Sequence, residues 1–129
     1  MTEETRMELI PLPQALSVVQ LYDLSDADLT AQPFFLAVTG TELSLVCEVS
    51  RVPARVRTRD DGWRALRIAG TLDFSLTGVL AGIADVLRDA HIPIFAVSTF
   101  DTDYVLVKAD RFSAALDALC MVGYAVREG

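Results

Sequence analysis

Lysine, histidine and tryptophan each occur once in this chain, at Lys108, His91 and Trp63, and cysteine occurs twice, at Cys47 and Cys120. One histidine and two distant cysteines give no metal-ligand cluster by spacing. Two cysteines without an export signal read as reduced core thiols rather than a disulfide. The G-x-x-x-x-G-K-[ST] phosphate loop, the G-x-S-x-G elbow and the H-E-x-x-H helix are all missing, which argues against a nucleotide enzyme or a hydrolase. The chain is therefore expected to be non-catalytic and to need no cofactor. Long hydrophobic runs are missing too. The longest stretch without a charged residue is Leu9–Tyr22, 14 residues broken by Pro11 and Pro13, too short to span a bilayer. The opening Met-Thr-Glu-Glu-Thr is acidic and is not followed by a signal-like apolar core, so a cytoplasmic location is expected. Positive charge is scarce: 11 basic residues against 18 acidic leave −7, which disfavours nucleic acid as a partner.

What is present is enough for a packed core. Apolar residues make up 52% of 129 residues, a length that suits one domain or two very small ones. Ala65–Thr71 alternates, with Leu66 and Ile68 on one face, which predicts a half-buried strand. From Leu76 the period changes: Leu76, Val79, Leu80, Ile83, Val86, Leu87 and Ala90 form a helical stripe, with Ser75 placed to cap it and Pro93 to end it. Ile94–Thr99 and Tyr104–Lys108 read as strands joined by a hairpin through Phe100–Asp103. Asp110 is placed to cap a second helix with Phe112, Ala115, Leu116, Leu119 and Cys120 inward, and Gly123 to end it. Tyr124–Arg127 closes the chain as a strand. This strand–helix–strand–strand–helix–strand order predicts a four-stranded antiparallel ferredoxin-like sheet with both helices on one face. Val97, Thr99, Val105 and Val107 would then sit on an open sheet face that a second unit or a second chain must cover.

The first half looks like an irregular copy. Pro33–Thr39 aligns with Pro93–Thr99 at an offset of 60, and Leu43–Val46 with Tyr104–Val107 at 61. Ala15–Tyr22 favours a strand where the copy has its helix, Ser25–Thr30 gives one turn capped by Ser25 or Asp26, and Arg51–Gly62 reads as a charged connector. The domain division is then 5–62 and 63–129. Six of the ten arginines fall within residues 51–67, at positions 51, 55, 57, 59, 64 and 67. They fit either a solvated linker or a binder of phosphate or nucleic acid.

Leu72–Gly78, followed by Ser98–Val107, resembles the tandem ACT-domain family that includes the CASTOR-type amino-acid sensors. Pro33–Thr39, Leu43–Cys47 and Trp63–Arg67 are similar to it as well, so the likeness spans most of residues 7–126. It implies an α+β protein of two ferredoxin-like, ACT-type units, the first irregular, that binds an amino acid or similar metabolite at a domain interface. It further implies side-by-side pairing, here a homodimer, and a regulated partner on a separate chain.

The chemistry of such a ligand can be placed on the sequence. The start of the Leu76–Ala90 helix offers free backbone amides and the positive end of a macrodipole to a carboxylate. Gly78 lets a ligand approach that backbone. Asp73, Asp101 and Asp103 offer acceptors to an ammonium. The implied site comprises Asp73, Phe74, Ser75, Leu76, Thr77, Gly78 and Val79 at the strand-to-helix turn, with Ser98, Thr99, Phe100, Asp101, Thr102 and Asp103 at the hairpin. Plainer roles stand beside these: close helix packing for Gly78, turn formation for Asp101 and Asp103, capping for Asp73 and Ser75, packing for Phe100. A ligand-free interaction module, a phosphate binder and an unrecognised enzyme remain as other readings.

Overall fold

Eleven residues, Thr58–Ile68, form the longest strand. In the computed structural model residues 8–69 and 78–127 are described. Strands are β1 (Glu8–Pro11), β2 (Leu16–Gln20), β3 (Phe35–Val38), β4 (Leu43–Glu48), β5 (Thr58–Ile68), β6 (Phe95–Ser98), β7 (Asp103–Lys108) and β8 (Ala125–Val126); helices are α1 (Val79–Asp89) and α2 (Phe112–Met121). The chain divides into two compact units, one of Met1–Pro13 with Arg64–Gly129, the other of Gln14–Trp63.

In the split unit the expected order β5–α1–β6–β7–α2–β8 is present. Its sheet is not the expected four antiparallel strands. The order is β6-β7-β5-β1-β8, with β1 antiparallel to β5 (Leu9↔Ile68, Pro11↔Leu66) and parallel to β8 (Leu9↔Val126). The physical reason lies in β8, which has only two residues and cannot cover the edge of β5. Glu8–Pro11 fills that place: Ala69 N–H donates to Glu8 O and Arg127 N–H to Leu9 O, both at 2.9 Å. Leu9 enters the core, a burial worth about 2 kcal/mol. Residues 8–13 thus pack with the C-terminal part of the chain rather than with 14–62.

The stripes fold as the periodicity predicts. Ile83 and Leu87 of α1, with Phe112, Ala115 and Leu119 of α2, pack in one core with Leu66, Ile68, Val105 and Val107. Both helices therefore lie on one face of the sheet. Val105 and Val107 are beneath them and not on an open face. Cys120, expected inside, is exposed.

Both helices end in a Schellman motif. Tyr124 N–H reaches back to Leu119 O and Gly123 N–H to Cys120 O, with Gly123 left-handed at φ 106°. At the end of α1, Ile92 N–H donates to Leu87 O (2.8 Å) and His91 N–H to Arg88 O (2.9 Å), with His91 at φ 61°. That turn stops α1 before Pro93 is reached. Asp110 does not cap α2; it sits in a short 3-10 turn, Ala109–Arg111, that leads into the helix.

The unit of residues 14–63 is a four-stranded antiparallel sheet in the order β3-β4-β2-β5. No α-helix occurs among its residues. Residues 21–34 join β2 to β3, 14 residues, where the split unit spends 26, residues 69–94, between β5 and β6. Residues 49–57 join β4 to β5, against 109–124 between β7 and β8. Nine residues cannot hold three helical turns and two connections. Single 3-10 turns, Leu24–Asp26 and Val49–Arg51, remain. The first is capped by Asp23, not by Ser25 or Asp26: Ser25 N–H donates to Asp23 Oδ1 at 2.9 Å.

Arg51–Gly62 is a connector only as far as Arg57. From Thr58 the chain pairs with β2 (Gln20↔Thr58, Ser17↔Asp61). Its charge is compatible with a strand because the ladder needs only backbone groups and the side chains answer one another. Arg59 grips Asp61 through two bonds of 3.0 and 3.1 Å, and buried Ser17 donates to the same carboxylate at 2.7 Å.

The two hairpins agree at a single offset of 60, without the expected shift to 61. β3 and β6 match, as do β4 and β7, whose burial patterns are identical. Leu45 and Cys47 thus correspond to Val105 and Val107. The tyrosine that suggested an offset of 61 is paired with Val97, one step along β7.

Candidate functional site

The expected site joins a strand-to-helix turn to a hairpin tip. Asp73, Phe74, Ser75, Leu76 and Thr77 lie outside the described residues. Gly78 caps α1 at φ 81° and ψ 3°, and its carbonyl receives Gly82 N–H at 2.8 Å. A Cβ on Gly78 would meet nothing within 4 Å. Close packing of helix and sheet does not explain this glycine; the left-handed backbone does. Val79 is half-buried against the core of the split unit.

At the hairpin, Ser98 pairs with Asp103, so Asp103 is the first residue of β7 and not a loop residue. Thr99 and Asp101 are exposed, and Phe100 is 82% exposed. The tip closes through Thr99: its N–H and its Oγ1 both donate to Thr102 O, at 2.8 and 3.0 Å, and Thr102 N–H donates to Thr99 Oγ1 at 3.3 Å. Thr102 turns inward and is only 5% exposed. Its hydroxyl donates to Ile68 O at 2.9 Å. The structure thus fastens the hairpin tip to the C-terminal end of β5, which the expected site did not include. Sequence reasoning placed Thr102 among ligand contacts; here it is the bolt between strands.

The same tip is built in the other unit. Thr39 N–H and Oγ1 donate to Glu42 O at 3.0 and 3.4 Å, and Glu42 N–H donates to Thr39 Oγ1 at 3.1 Å. This tip borders a polar cavity of about 420 Å³ within residues 14–63 that the sequence reading did not single out. The repeat offset was the available signal, since it maps Thr39–Glu42 onto Thr99–Thr102. In the split unit an apolar hollow of about 570 Å³ lies at the C-terminal end of α1, between Ala84, Arg88, His91 and Pro93.

The arginine-rich stretch is largely occupied within the fold. Arg51 pairs with Asp28 at 3.1 Å, Arg55 with Asp26 at 3.9 Å and Arg59 with Asp61 at 3.0 Å. Arg64 donates twice to Leu12 O, at 3.2 and 2.8 Å, and lies 4.3 Å over the Phe112 ring. Among the described residues no group of three or more His, Cys, Asp or Glu could hold a metal ion, and no helix is long and apolar enough to cross a membrane. Two aspartates titrate low because neighbouring donors hold their charged forms: Ser25 N–H and hydroxyl on Asp23, and the Thr30 hydroxyl and N–H on Asp28, the latter aided by Arg51.

Residues 58–121, from the start of β5 to the last turn of α2, match the ACT domain family. This chain contains an ACT domain. Its matched span covers the parts that the geometry joins, the end of β5 and the β6–β7 hairpin. Over 58 residues, 44% of this chain, it is 38% identical to the cytosolic arginine sensor for mTORC1 subunit 1 of rat and of human. That alignment spans only 18% of those relatives' length. Over 96% of its length the ACT-containing chain is similar to protein Atu0741 from Agobacterium tumefaciens, at 30% identity, 94% coverage of that chain and a TM-score of 0.85. It also shares a fold with part of the aspartate kinase of Clostridium acetobutylicum, at 14% identity, a TM-score of 0.68, and 89% of this chain against 34% of that one.

Proposed function

We propose that this chain is a regulatory protein that binds an amino acid or a similar small metabolite and does no chemistry on it. The observation that carries this reading is the ACT match across β5, α1, the β6–β7 hairpin and α2. Identity of 38% to an arginine sensor over 58 residues supports it. The two units make a tandem of ACT-type sheets, the first with its helices reduced to turns; the shared offset of 60, the matching tips and the strand orders support that. The ligand's carboxylate is received by residues within 73–79, and residues 98–103 of the hairpin supply further contacts. Binding favours an associated form, here a homodimer, by its higher affinity for that form. The chain works in the cytoplasm on a separate target protein.

A thermal-shift screen with the twenty amino acids tests this. An amino acid present at 100 times its dissociation constant stabilises the fold by about 2.7 kcal/mol. Absence of any shift at millimolar concentration removes the sensor reading. A ligand-free interaction module is then preferred, because Phe100 and Val38 place exposed apolar groups beside the two hairpin tips, 82% and 60% exposed. The internal pairing of Arg51, Arg55 and Arg59 disfavours the phosphate and nucleic-acid reading.

A further inference from the structure

We propose that the polar cavity within residues 14–63 is a second binding site, and that it takes the zwitterionic head of an α-amino acid, carboxylate on Arg57 and ammonium on Glu42. The inference rests on the amino-acid reading above for its ligand class, but on different residues. The cavity is bounded by Gln20, Leu21 and Tyr22 at the end of β2, by the Thr39–Leu43 tip, and by Arg57 just before β5. Its volume of about 420 Å³ is within the roughly 300–1,000 Å³ typical of small-molecule sites.

The walls are set by backbone bonds. Leu21 N–H donates to Leu43 O at 2.9 Å and Arg57 N–H to Gln20 O at 2.8 Å. These hold the three segments that line the cavity together.

The charges decide the ligand. Tyr22 has two guanidinium groups against its ring, Arg55 at 4.9 Å and Arg57 at 5.1 Å. Arg55 has a carboxylate partner in Asp26. Arg57 has none among the described residues. Among the described residues the Glu42 carboxylate accepts only from Ser44 Oγ, at 3.0 Å to Oε2, which leaves its other oxygen available. Arg57 and Glu42 thus line one cavity with opposite charge and form no ion pair with each other. A molecule carrying both signs on adjacent atoms answers both groups at once, whereas a simple anion meets repulsion from Glu42 and a simple cation from Arg57. The hydroxyl of Thr41 and the amide of Gln20 add neutral polar partners. No helix N-terminus takes part.

Amide chemical-shift titration of the full chain tests the site, with each of the twenty amino acids as probe and acetate and methylammonium as single-charge controls. The expected result is saturable shifts at Tyr22, Thr39–Leu43 and Arg57 with at least one amino acid and with neither control. Arg57→Gln and Glu42→Gln each weaken that binding by about tenfold or more. Both residues are exposed, so unchanged thermal midpoints are expected, and two independent variants guard against misfolding of one. Shifts confined to residues 78–79 and 98–103 and unaffected by Arg57→Gln overturn this site while leaving the amino-acid reading standing. No shift with any amino acid overturns both.

Discussion

Replacing Thr102 by valine removes one hydroxyl and keeps the shape of the side chain. That hydroxyl is buried, donates to Ile68 O at 2.9 Å, and is the described side-chain link between the β6–β7 tip and the end of β5. Without it the Ile68 carbonyl keeps its desolvation and loses a donor, a cost of about 1–3 kcal/mol. For a domain of this size that lowers the melting temperature by roughly 3–10 °C. Thr102→Ser is the control, since it keeps the hydroxyl and loses only a methyl group worth about 0.8 kcal/mol. Urea unfolding of the two variants, read by far-UV circular dichroism, separates the contributions. Thr102→Val should be the less stable of the two. If valine equals or exceeds serine, the hydroxyl does not bolt the tip to the strand, and the hairpin is positioned by its backbone ladder alone.

His91 occupies the left-handed position of a Schellman motif, so His91→Gly relieves a conformation that costs an L-residue about 1–2 kcal/mol; after glycine's greater unfolded-state entropy, a net gain of about 0.5–1 kcal/mol in thermal unfolding is expected. A thiol reagent applied to the folded protein should label Cys120 quickly and spare Cys47, whose thiol is buried and pushed up by burial; equal rates contradict the buried position of Cys47. Asp28 titrates below 3.8 in the folded chain, so its contribution is present above that value and fades as the pH falls through and below it. Asp28→Asn should accordingly lose stability at pH 6, by a margin that shrinks as the pH is taken below the usual carboxylate range in acid titrations of unfolding.

Much of the split unit was legible because period is a direct print of burial. The α1 stripe put Ile83 and Leu87 inside, and Leu66 and Ile68 marked the strand face. The short β1 was not legible. Four residues ending in a proline carry too little pattern, and its place is set by a partner far along the chain, Ile68 opposite Leu9, together with the brevity of β8. Nor was the first half of β5, because Thr58–Asp61 is charged and its ladder with β2 needs no apolar side chain. The hairpin half of the site was read correctly as a tip, but the role of Thr102 depends on the position of Ile68 O, which no local spacing encodes. Asp103 slipped from loop to strand for a related reason: the Thr99 turn closes on Thr102, one residue earlier than the aspartates imply.

The offset of 60 carries a further consequence. The hairpins and the 3-10 turns after them repeat with it, down to the donors on Thr39 and Thr99, while the connections around them differ by twelve and seven residues. Strand pairing tolerates that difference because a sheet is held by its ladders and loop closure varies slowly with length. Helices do not, since each needs about ten residues and an apolar stripe. Residues 21–34 and 49–57 supply only scattered inward groups, Leu21, Ala27, Phe34, Val52 and Val56 among them, which pack with Val19, Leu45 and Cys47 in place of a helix. The shortened unit therefore keeps its sheet and its tip while its connections carry only 3-10 turns. The proposed second site, the cavity beside Tyr22 and Arg57, lies within this shortened unit, next to the tip that repeats.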